Sequence, residues 1–237
     1  MRSNPIRALV AVGSVLLLAG TGHAQDIRYS WLDMSFIAQD VGRTGSLPSP
    51  GVPDQIVTVN ADDGSGVRFR GSFGTWYNMY VMFEYASSDI DITGDVSNPD
   101  TDPVPFTDEF DYTSIRGGIG LKWSLFEKTD LFGELTYDSL DFDFGSFAGE
   151  NFDMDRQEVG GTVGVRTLFG DHFQVHLHAR YSGVGDADLT TGIFDNDTLL
   201  GLGFSWEIIR GFALVGDIET GEFSNYAIGF RLDLDED

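Results

Sequence analysis

Hydrophobic and polar residues alternate along most of this chain with a period of two. Residues 162–180 show the pattern in two runs that a tight turn at 169–172 separates. In the second run the apolar residues Phe173, Val175, Leu177 and Ala179 alternate with the polar residues Gln174, His176, His178 and Arg180. Successive side chains of a β-strand point to opposite faces, so the pattern predicts a hairpin with one apolar and one polar face.

Repetition of this pattern predicts ten strands, with eight as the alternative. Short connections alternate with long ones, and an even number of strands with short turns at one end is typical of outer-membrane barrels. We therefore expect an all-β fold, a single antiparallel transmembrane β-barrel with its apolar face towards lipid and its polar face inside. The predicted strands are 27–40, 66–75, 78–92, 110–125, 130–143, 155–169, 173–186, 196–208, 212–220 and 225–234, and the long loops are 41–65, 93–109, 144–154 and 187–195.

The N-terminus has the parts of a secretory signal peptide. Arg2 and Arg7 flank an apolar run at 8–18, and Gly22-His23-Ala24 forms a small-x-small cleavage site. The run is too short to cross a bilayer as a stable helix. We expect a cleaved signal peptide at 1–24 and a barrel domain at 25–237. The chain has no cysteine, which excludes disulfides and a lipid-modified cysteine.

The charge of the chain is strongly acidic, with 14 basic and 38 acidic residues and a formal net charge of −24. Nucleic acid is therefore excluded as a partner, because phosphate contacts need basic patches. Much of the acid falls in the predicted long loops, which favours solvated loops that bind divalent cations loosely at most. These acids lack the spacing of an EF-hand, so no defined metal site and no cofactor are expected. They include Asp89, Asp91, Asp95, Asp100, Asp102, Asp108, Glu109 and Asp111.

Prolines and aromatic residues support the same architecture. Six of the seven prolines fall in the predicted loops, which leaves the strands free of ladder-breaking residues. The aromatic residues cluster beside the short turns and near the long loops, as the two interfacial girdles of a spanning barrel do. Those beside the turns are Trp76, Tyr77, Trp123, Phe126, Phe132, Phe169, Phe173, Trp206 and Phe212, and those near the loops are Tyr85, Tyr112, Tyr137, Tyr181, Phe223 and Tyr226.

The mature chain resembles the small outer-membrane β-barrel domain proteins of diderm bacteria, a porin-like family. The resemblance rests on residues 29–32, 130–135 and 226–234. The last segment is similar to the C-terminal signal that the barrel-assembly machinery recognises, although it lacks a terminal aromatic and is followed by Asp235-Glu236-Asp237. The resemblance implies that the assembly signal consists of Tyr226, Gly229, Phe230, Leu232 and Leu234.

Assigning the apolar positions to lipid leaves a charged interior. Unpaired charges in such a space cost several kcal/mol each, so we expect ion pairs that fill the lumen or line a narrow pore. The basic candidates are Arg68, Arg70, Arg116, Lys122, Arg156, Arg166, Arg180 and Arg231; the acidic candidates are Asp33, Glu84, Glu134, Asp138, Glu158, Glu207, Asp217 and Glu219; His176 and His178 complete the set.

His176 and His178 are also the best candidates for catalysis or metal binding, because residues two apart on a strand point the same way. Glu134 and Asp138 are expected nearby on an earlier strand, and Ser182 is a serine close to the same strand end. An outer-membrane protease of the omptin type or a lipid A-modifying hydrolase is therefore one alternative function. We favour a hydrogen-bonded interior role for both histidines.

The sequence predicts a non-enzymatic protein of the cell outer membrane with a structural or narrow porin-like role. Its expected partners are outer-membrane lipid, lipopolysaccharide and, during biogenesis, the barrel-assembly machinery. The alternatives are an outer-membrane enzyme, an adhesin or receptor that binds through loops 41–65 and 93–109, and a soluble periplasmic barrel of lipocalin type.

Overall fold

The computed structural model describes residues 27–48, 55–75, 78–98, 101–147, 150–183, 198–221 and 224–234. The predicted signal peptide and its cleavage site lie outside these residues. Within the described ranges no helix reaches the length and apolar character needed to cross a bilayer.

Ten antiparallel strands form a closed barrel. Each strand pairs with its neighbours in the chain, and the first strand pairs with the last, which closes the ring. The predicted all-β antiparallel barrel is confirmed, with ten strands rather than eight. The strands are β1 (Trp31–Pro48), β2 (Ile56–Gly74), β3 (Met79–Asn98), β4 (Thr101–Phe126), β5 (Thr129–Phe147), β6 (Glu150–Phe169), β7 (Phe173–Ser182), β8 (Thr198–Ile209), β9 (Phe212–Thr220) and β10 (Ser224–Asp233).

The two ends of the barrel differ. The start of β1, the end of β10 and the short β2–β3, β4–β5, β6–β7 and β8–β9 turns share one end, which we call the lower end. Two of these turns contain glycines with positive φ, Gly170 at 64° and Gly211 at 77°, a conformation that other residues adopt at a cost. The opposite, upper end carries the remaining hairpins.

An apolar band surrounds the lower part of the barrel. Along β1, Leu32, Met34 and Phe36 are exposed, whereas Asp33 and Ser35 between them are buried. Exposed leucine, isoleucine, valine and phenylalanine side chains recur on the outer face of the other strands. The apolar side chains therefore face outwards and the polar ones face inwards, the orientation that the alternation predicts.

Two aromatic girdles border this band. Phe73, Trp123, Phe126, Phe173 and Trp206 are exposed near the lower turns, and Tyr85, Tyr137, Tyr181 and Tyr226 are exposed further up. Two aromatic residues assigned to the girdles face the interior instead. Phe132 is buried inside the barrel, and Tyr112 packs against an interior apolar cluster.

The long loops expected at 41–65 and 93–109 are largely strand, so that prediction is wrong. Strands β1–β6 continue well above the apolar band, and β4 alone has 26 residues. Pro103 and Pro105 lie within β4, against expectation. They are tolerated because this part of β4 pairs with β3 alone, its pairing with β5 beginning at Asp111, and an edge position needs no donor on its free side.

In this upper part of the strands, the pattern of outward apolar and inward polar residues is reversed. On β3, Met79, Val81 and Phe83 face outwards below, but Asp89 and Asp91 occupy the same face above. The inward positions become apolar, and Val41, Ala61, Ile90, Ile92 and Phe110 form a cluster on the inner face there. Of the acids predicted to sit in loops, Asp89, Asp91, Asp95, Glu109 and Asp111 are on the outer wall of strands that extend beyond the apolar band. Asp108 is exposed on the other face, opposite Ile92, and Asp100 lies outside the described residues.

Like charges face each other on this wall, where Asp91 of β3 is directly opposite Glu109 of β4 and both are exposed. Such cross-strand pairs destabilise a sheet, so Asp91→Asn is expected to raise the free energy of unfolding by about 0.5 kcal/mol at low salt. The gain should shrink at about 0.5 M NaCl, because salt at that concentration shortens the screening length to about 5 Å or less. Urea unfolding at the two salt concentrations measures both values.

Asp102→Asn is the matched control, because Asp102 is exposed on the same strand as Glu109 without an acid as its register partner. It should leave stability unchanged. Equal gains in both variants, or a gain for Asp91→Asn that persists in high salt, would contradict this account of the outer wall.

Candidate functional site

The interior of the barrel is the candidate site, because the two-residue period points most charged side chains there. Of the residues predicted to form the network, Arg156 and Glu158 are exposed on the upper part of β6. The others lie inside. Arg68, Glu84, Arg116, Asp138, Arg166, His178, Asp217 and Arg231 are buried, and Arg70, Lys122, Glu134, His176, Arg180 and Glu207 are half-buried.

Asp217 on β9 is the centre of one group of ion pairs. Its carboxylate lies 3.3 Å from Nη1 of Arg68 and 3.9 Å from Nη1 of Arg70, both on β2. Arg70 also contacts its register partner Asp33, with Nη2 3.0 Å from Oδ2. Strands β1 and β10 separate β2 from β9 in the ring. The ion pairs of Asp217 with Arg68 and Arg70 therefore connect strands that share no backbone hydrogen bonds.

A second group crosses the lumen. Arg180 on β7 lies 3.2 Å from Glu219 on β9 and 3.8 Å from Glu84 on β3. Glu84 also accepts a hydrogen bond of 3.3 Å from Nη2 of Arg116 on β4. Strands β3 and β7 have three strands between them on the shorter way round. The Arg180–Glu84 contact therefore joins opposite walls and occupies the space between them.

The two histidines on β7 contact carboxylates on β9 across two glycines of the intervening strand β8. His176 Nε2 is 3.2 Å from Asp217, and His178 Nε2 is 2.9 Å from Glu219. In the sheet register His176 is opposite Gly203, which is opposite Asp217; His178, Gly201 and Glu219 align in the same way. A Cβ at either glycine would collide with the imidazole ring beside it. The rings stack with centroids 5.5 Å apart.

The acids expected beside these histidines bond elsewhere. Glu134 accepts a hydrogen bond of 2.9 Å from the Tyr80 hydroxyl, and Asp138 accepts one of 2.6 Å from Ser182. The expected partners of the histidines were therefore wrong. Tyr80 was missed by sequence reasoning, although it occupies an inward position of β3 and the alternation could have placed it.

The N-terminal segment, residues 27–30, closes the lower end of the barrel. Tyr29 is buried, packs on Tyr80 with ring centroids 4.9 Å apart, and donates a hydrogen bond of 3.2 Å to Asp130. Arg28 lies 3.4 Å from both Glu207 and Asp233. The first strand was predicted to start at 27, but it starts at Trp31. This segment instead turns its side chains into the barrel.

Cavities remain inside the described part of the barrel. One interior cavity of about 70 Å³ lies among Arg116, Arg166 and the histidines, and one of about 30 Å³ lies near Arg28 at the lower end. Above the ion pairs, the apolar cluster around Ile90 lies on the inner face of the neighbouring strands β1–β4. A barrel of this size is closed where its side chains meet across the axis, as Arg180 and Glu84 do here.

The last strand places the residues of the proposed assembly signal on two faces. Tyr226, Phe230, Leu232 and Leu234 are exposed on the outer wall, and Gly229 is buried. A Cβ at Gly229 would collide with the backbone of Met34 on the adjacent β1. Gly229 thus permits a close approach of the strands that close the ring.

The chemistry of the site is that of ion pairs and histidine–carboxylate hydrogen bonds. Ser182, the serine named as a candidate for the enzyme alternative, donates its hydrogen bond to the Asp138 carboxylate, and both interior histidines bond to carboxylates of β9. The same part of the chain holds no group of three or more histidine, aspartate or glutamate side chains arranged for a metal ion. The arrangement can bridge strands and exclude a continuous water path.

The molecule therefore has the architecture of a small outer-membrane β-barrel: a closed even-stranded ring, an apolar outer band, aromatic girdles and a polar interior. No family model and no curated protein matches the sequence. Among solved structures the chain is similar to the translocator domain of autotransporter NalP from Neisseria meningitidis, with 14% identity, 96% of this chain and 94% of that chain covered, and a TM-score of 0.47.

It is also similar to the β domain of the Bordetella autotransporter BrkA, with 10% identity, coverage of 87% and 99%, and a TM-score of 0.46. A third similar structure is Ail, the attachment invasion locus protein of Yersinia pestis, with 12% identity, coverage of 86% and 99%, and a TM-score of 0.38.

Proposed function

We propose that this protein is an integral barrel of the bacterial outer membrane with a sealed lumen and a structural, non-enzymatic role. The observation that carries the proposal is the Arg180–Glu84 contact of 3.8 Å between opposite walls, at a level where Asp217 also ties β9 to β2. Breaking such buried pairs leaves charges uncompensated. The network therefore holds the strands together and at the same time occupies the space that a pore would need.

The membrane location rests on the outer surface. A wide band of exposed apolar side chains would be unfavourable in water, and lipid removes that cost. The closed hydrogen-bond ladder leaves no unpaired strand edge in the hydrocarbon region. With both ends of the described chain at the lower end, that end faces the periplasm and the tall hairpins face the exterior. Lipid and lipopolysaccharide are the partners that this orientation implies.

The lower end of the barrel is closed as well. Tyr29 and Arg28 anchor the N-terminal segment there through contacts to Asp130 and Glu207. This closure, together with the ion pairs that cross the lumen, supports a sealed barrel over a narrow pore.

Planar-bilayer recording tests the seal. The folded wild-type protein, identified by its heat-modifiable mobility on detergent gels, is expected to give no conductance steps above background. A triple variant with Tyr29→Ala, Arg68→Ala and Arg180→Ala removes side chains from the mouth and from both ion-pair groups. This variant should conduct, because water can then follow the shortened side chains along the lumen.

Arg156→Ala is the matched control, since Arg156 is exposed above the network; it should remain silent. Steady wild-type steps with a reproducible ion selectivity would replace the sealed barrel with a narrow pore. A wild-type protein that stays in the aqueous fraction without detergent would remove the membrane assignment altogether.

A second candidate role is that of an adhesin or receptor, which binds a partner outside the cell. The extension of β1–β6 above the apolar band favours it. β3 and β4 remain paired up to Val96 and Val104, so this surface is a sheet rather than a set of loops. Deleting residues 93–107 should leave the heat-modifiable mobility unchanged. Loss of attachment of whole cells to a host surface on the same deletion would support the role, and unchanged attachment would count against it.

A further inference from the structure

Several buried hydrogen-bond donors around the 70 Å³ interior cavity lack an acceptor among the described residues. They are Nε and Nη1 of Arg166, Nε and Nη1 of Arg116, and the indole Nε1 of Trp31; the Thr162 hydroxyl on the same cavity is also without a partner. Leaving buried donors unsatisfied is costly. The cavity therefore requires an occupant that accepts hydrogen bonds.

Arg166 is the most unusual of these residues, because the described part of the chain places no carboxylate within ion-pair distance of it. Its guanidinium carbon lies 4.7 Å from the Tyr29 ring centroid and 5.2 Å from that of Phe132. Asp130 is its register partner on β5 but accepts the hydrogen bond of Tyr29. The aromatic rings hold the guanidinium in place, and its charge remains without an anionic partner.

The acids that line the same cavity have donors of their own. Asp33 contacts Arg70 at 3.0 Å, Glu134 accepts the Tyr80 hydroxyl at 2.9 Å, and Glu219 contacts Arg180 and His178. Arg70 and Arg231 also line the cavity; Arg70 forms ion pairs with Asp33 and Asp217, and Arg231 forms one with Asp233. The polar groups left over on the cavity wall are thus donors rather than acceptors.

We propose that this cavity binds a small monovalent anion of the size of chloride, held by Arg166 and Arg116. A neutral acceptor would satisfy the hydrogen bonds but would leave the buried charge of Arg166 uncompensated. The volume of about 70 Å³ admits a halide with a few waters, since about 10–15 Å³ by the same measure suffices for one water. The binding site is independent of whether the barrel conducts.

Crystals of the folded wild-type protein soaked in sodium bromide test the proposal by anomalous scattering. We expect a bromide peak within hydrogen-bond distance of Arg166 in the wild type and its loss in Arg166→Gln. Arg156→Gln, on the same strand but exposed, should keep the peak. In solution, wild type and Arg156→Gln should melt at a higher temperature in sodium chloride than in sodium gluconate at equal ionic strength, and Arg166→Gln should not.

A wild-type crystal with no bromide at Arg166 overturns the proposal, as does a peak that is equally strong in Arg166→Gln. Water alone in the cavity of the wild type at high bromide is also a refutation. If Arg166→Gln fails to give the folded band on gels, Arg116→Gln replaces it, and the wild-type crystal decides in either case. Conductance has no bearing on these outcomes.

Discussion

Asp217→Ala is expected to lower the free energy of unfolding by about 3–5 kcal/mol, the range found when one partner of a buried ion pair is removed. Asp217 contacts Arg68, Arg70 and His176, which lie on β2 and β7. Its removal deprives the buried Arg68 of its ion pair and leaves Arg70 with Asp33 alone. Urea unfolding in lipid vesicles, followed by tryptophan fluorescence, measures the loss.

A double variant separates the contribution of the ion pair to stability from the cost of leaving one buried charge without a partner. Arg68→Met with Asp217→Leu replaces both partners with apolar groups, so it should recover more than half of the loss that Asp217→Ala causes. Asp102→Ala, which removes an exposed acid without an acid as its register partner, serves as the control and should leave stability nearly unchanged. A loss below about 1 kcal/mol for Asp217→Ala, the size of an ordinary surface pair, would show that Asp217 does not organise the interior.

Gly201→Ala is expected to cost about 2–3 kcal/mol, because the added methyl group displaces the His178 ring and breaks its hydrogen bond to the Glu219 carboxylate. That hydrogen bond is 2.9 Å long and buried, and the new Cβ would overlap the imidazole. The measured quantities are the free energy of unfolding and the temperature at which the folded gel band disappears.

Gly117→Ala is the matched control, since a Cβ there meets nothing within 4 Å; it should be neutral or slightly stabilising. The pair Gly201→Ala and His178→Ala should be markedly non-additive, because the second change removes the ring that the first one displaces. Additive losses would place the cost of Gly201→Ala in the backbone of β8 rather than in the histidine contact.

The barrel itself could be predicted from the sequence because the decisive signal is local. Each strand of a membrane barrel repeats its outward apolar and inward polar choice every two residues, so that Leu32, Met34 and Phe36 reveal their face without knowledge of any partner. The same rule placed Arg68, Glu84 and Arg180 inside. The repeated alternation along the chain also predicted the ten strands of the barrel.

The partners of those side chains could not be predicted, because pairing depends on the stagger of strands that lie far apart in sequence. His178 reaches Glu219 across Gly201 only because β7, β8 and β9 align those three residues in one row. The role of Gly201 and Gly203 in admitting the imidazole rings emerges only once the register is known.

The upper hairpins were predicted as loops because their prolines, glycines and aspartates are common in turns. The stretch from Asp89 to Asp95 keeps a strand's alternation, but with acids outwards and isoleucines inwards. That inversion marks the point where the outer surface leaves the apolar band. Tyr29 was assigned to the first strand because no local sequence signal distinguishes the start of a strand from a segment that folds into the lower end of the barrel.

The unequal strand lengths have a practical consequence for anyone who inserts a peptide tag into this barrel. A tag in the short connection after Thr220 would be displayed close to the lipid headgroups, where long sugar chains can hide it from an antibody. A tag between Asn98 and Thr101 would be carried beyond Thr101, which is 14 residues above Ile115, an exposed apolar residue of β4. That is roughly 45 Å along the strand, which makes this hairpin the better site for labelling living cells.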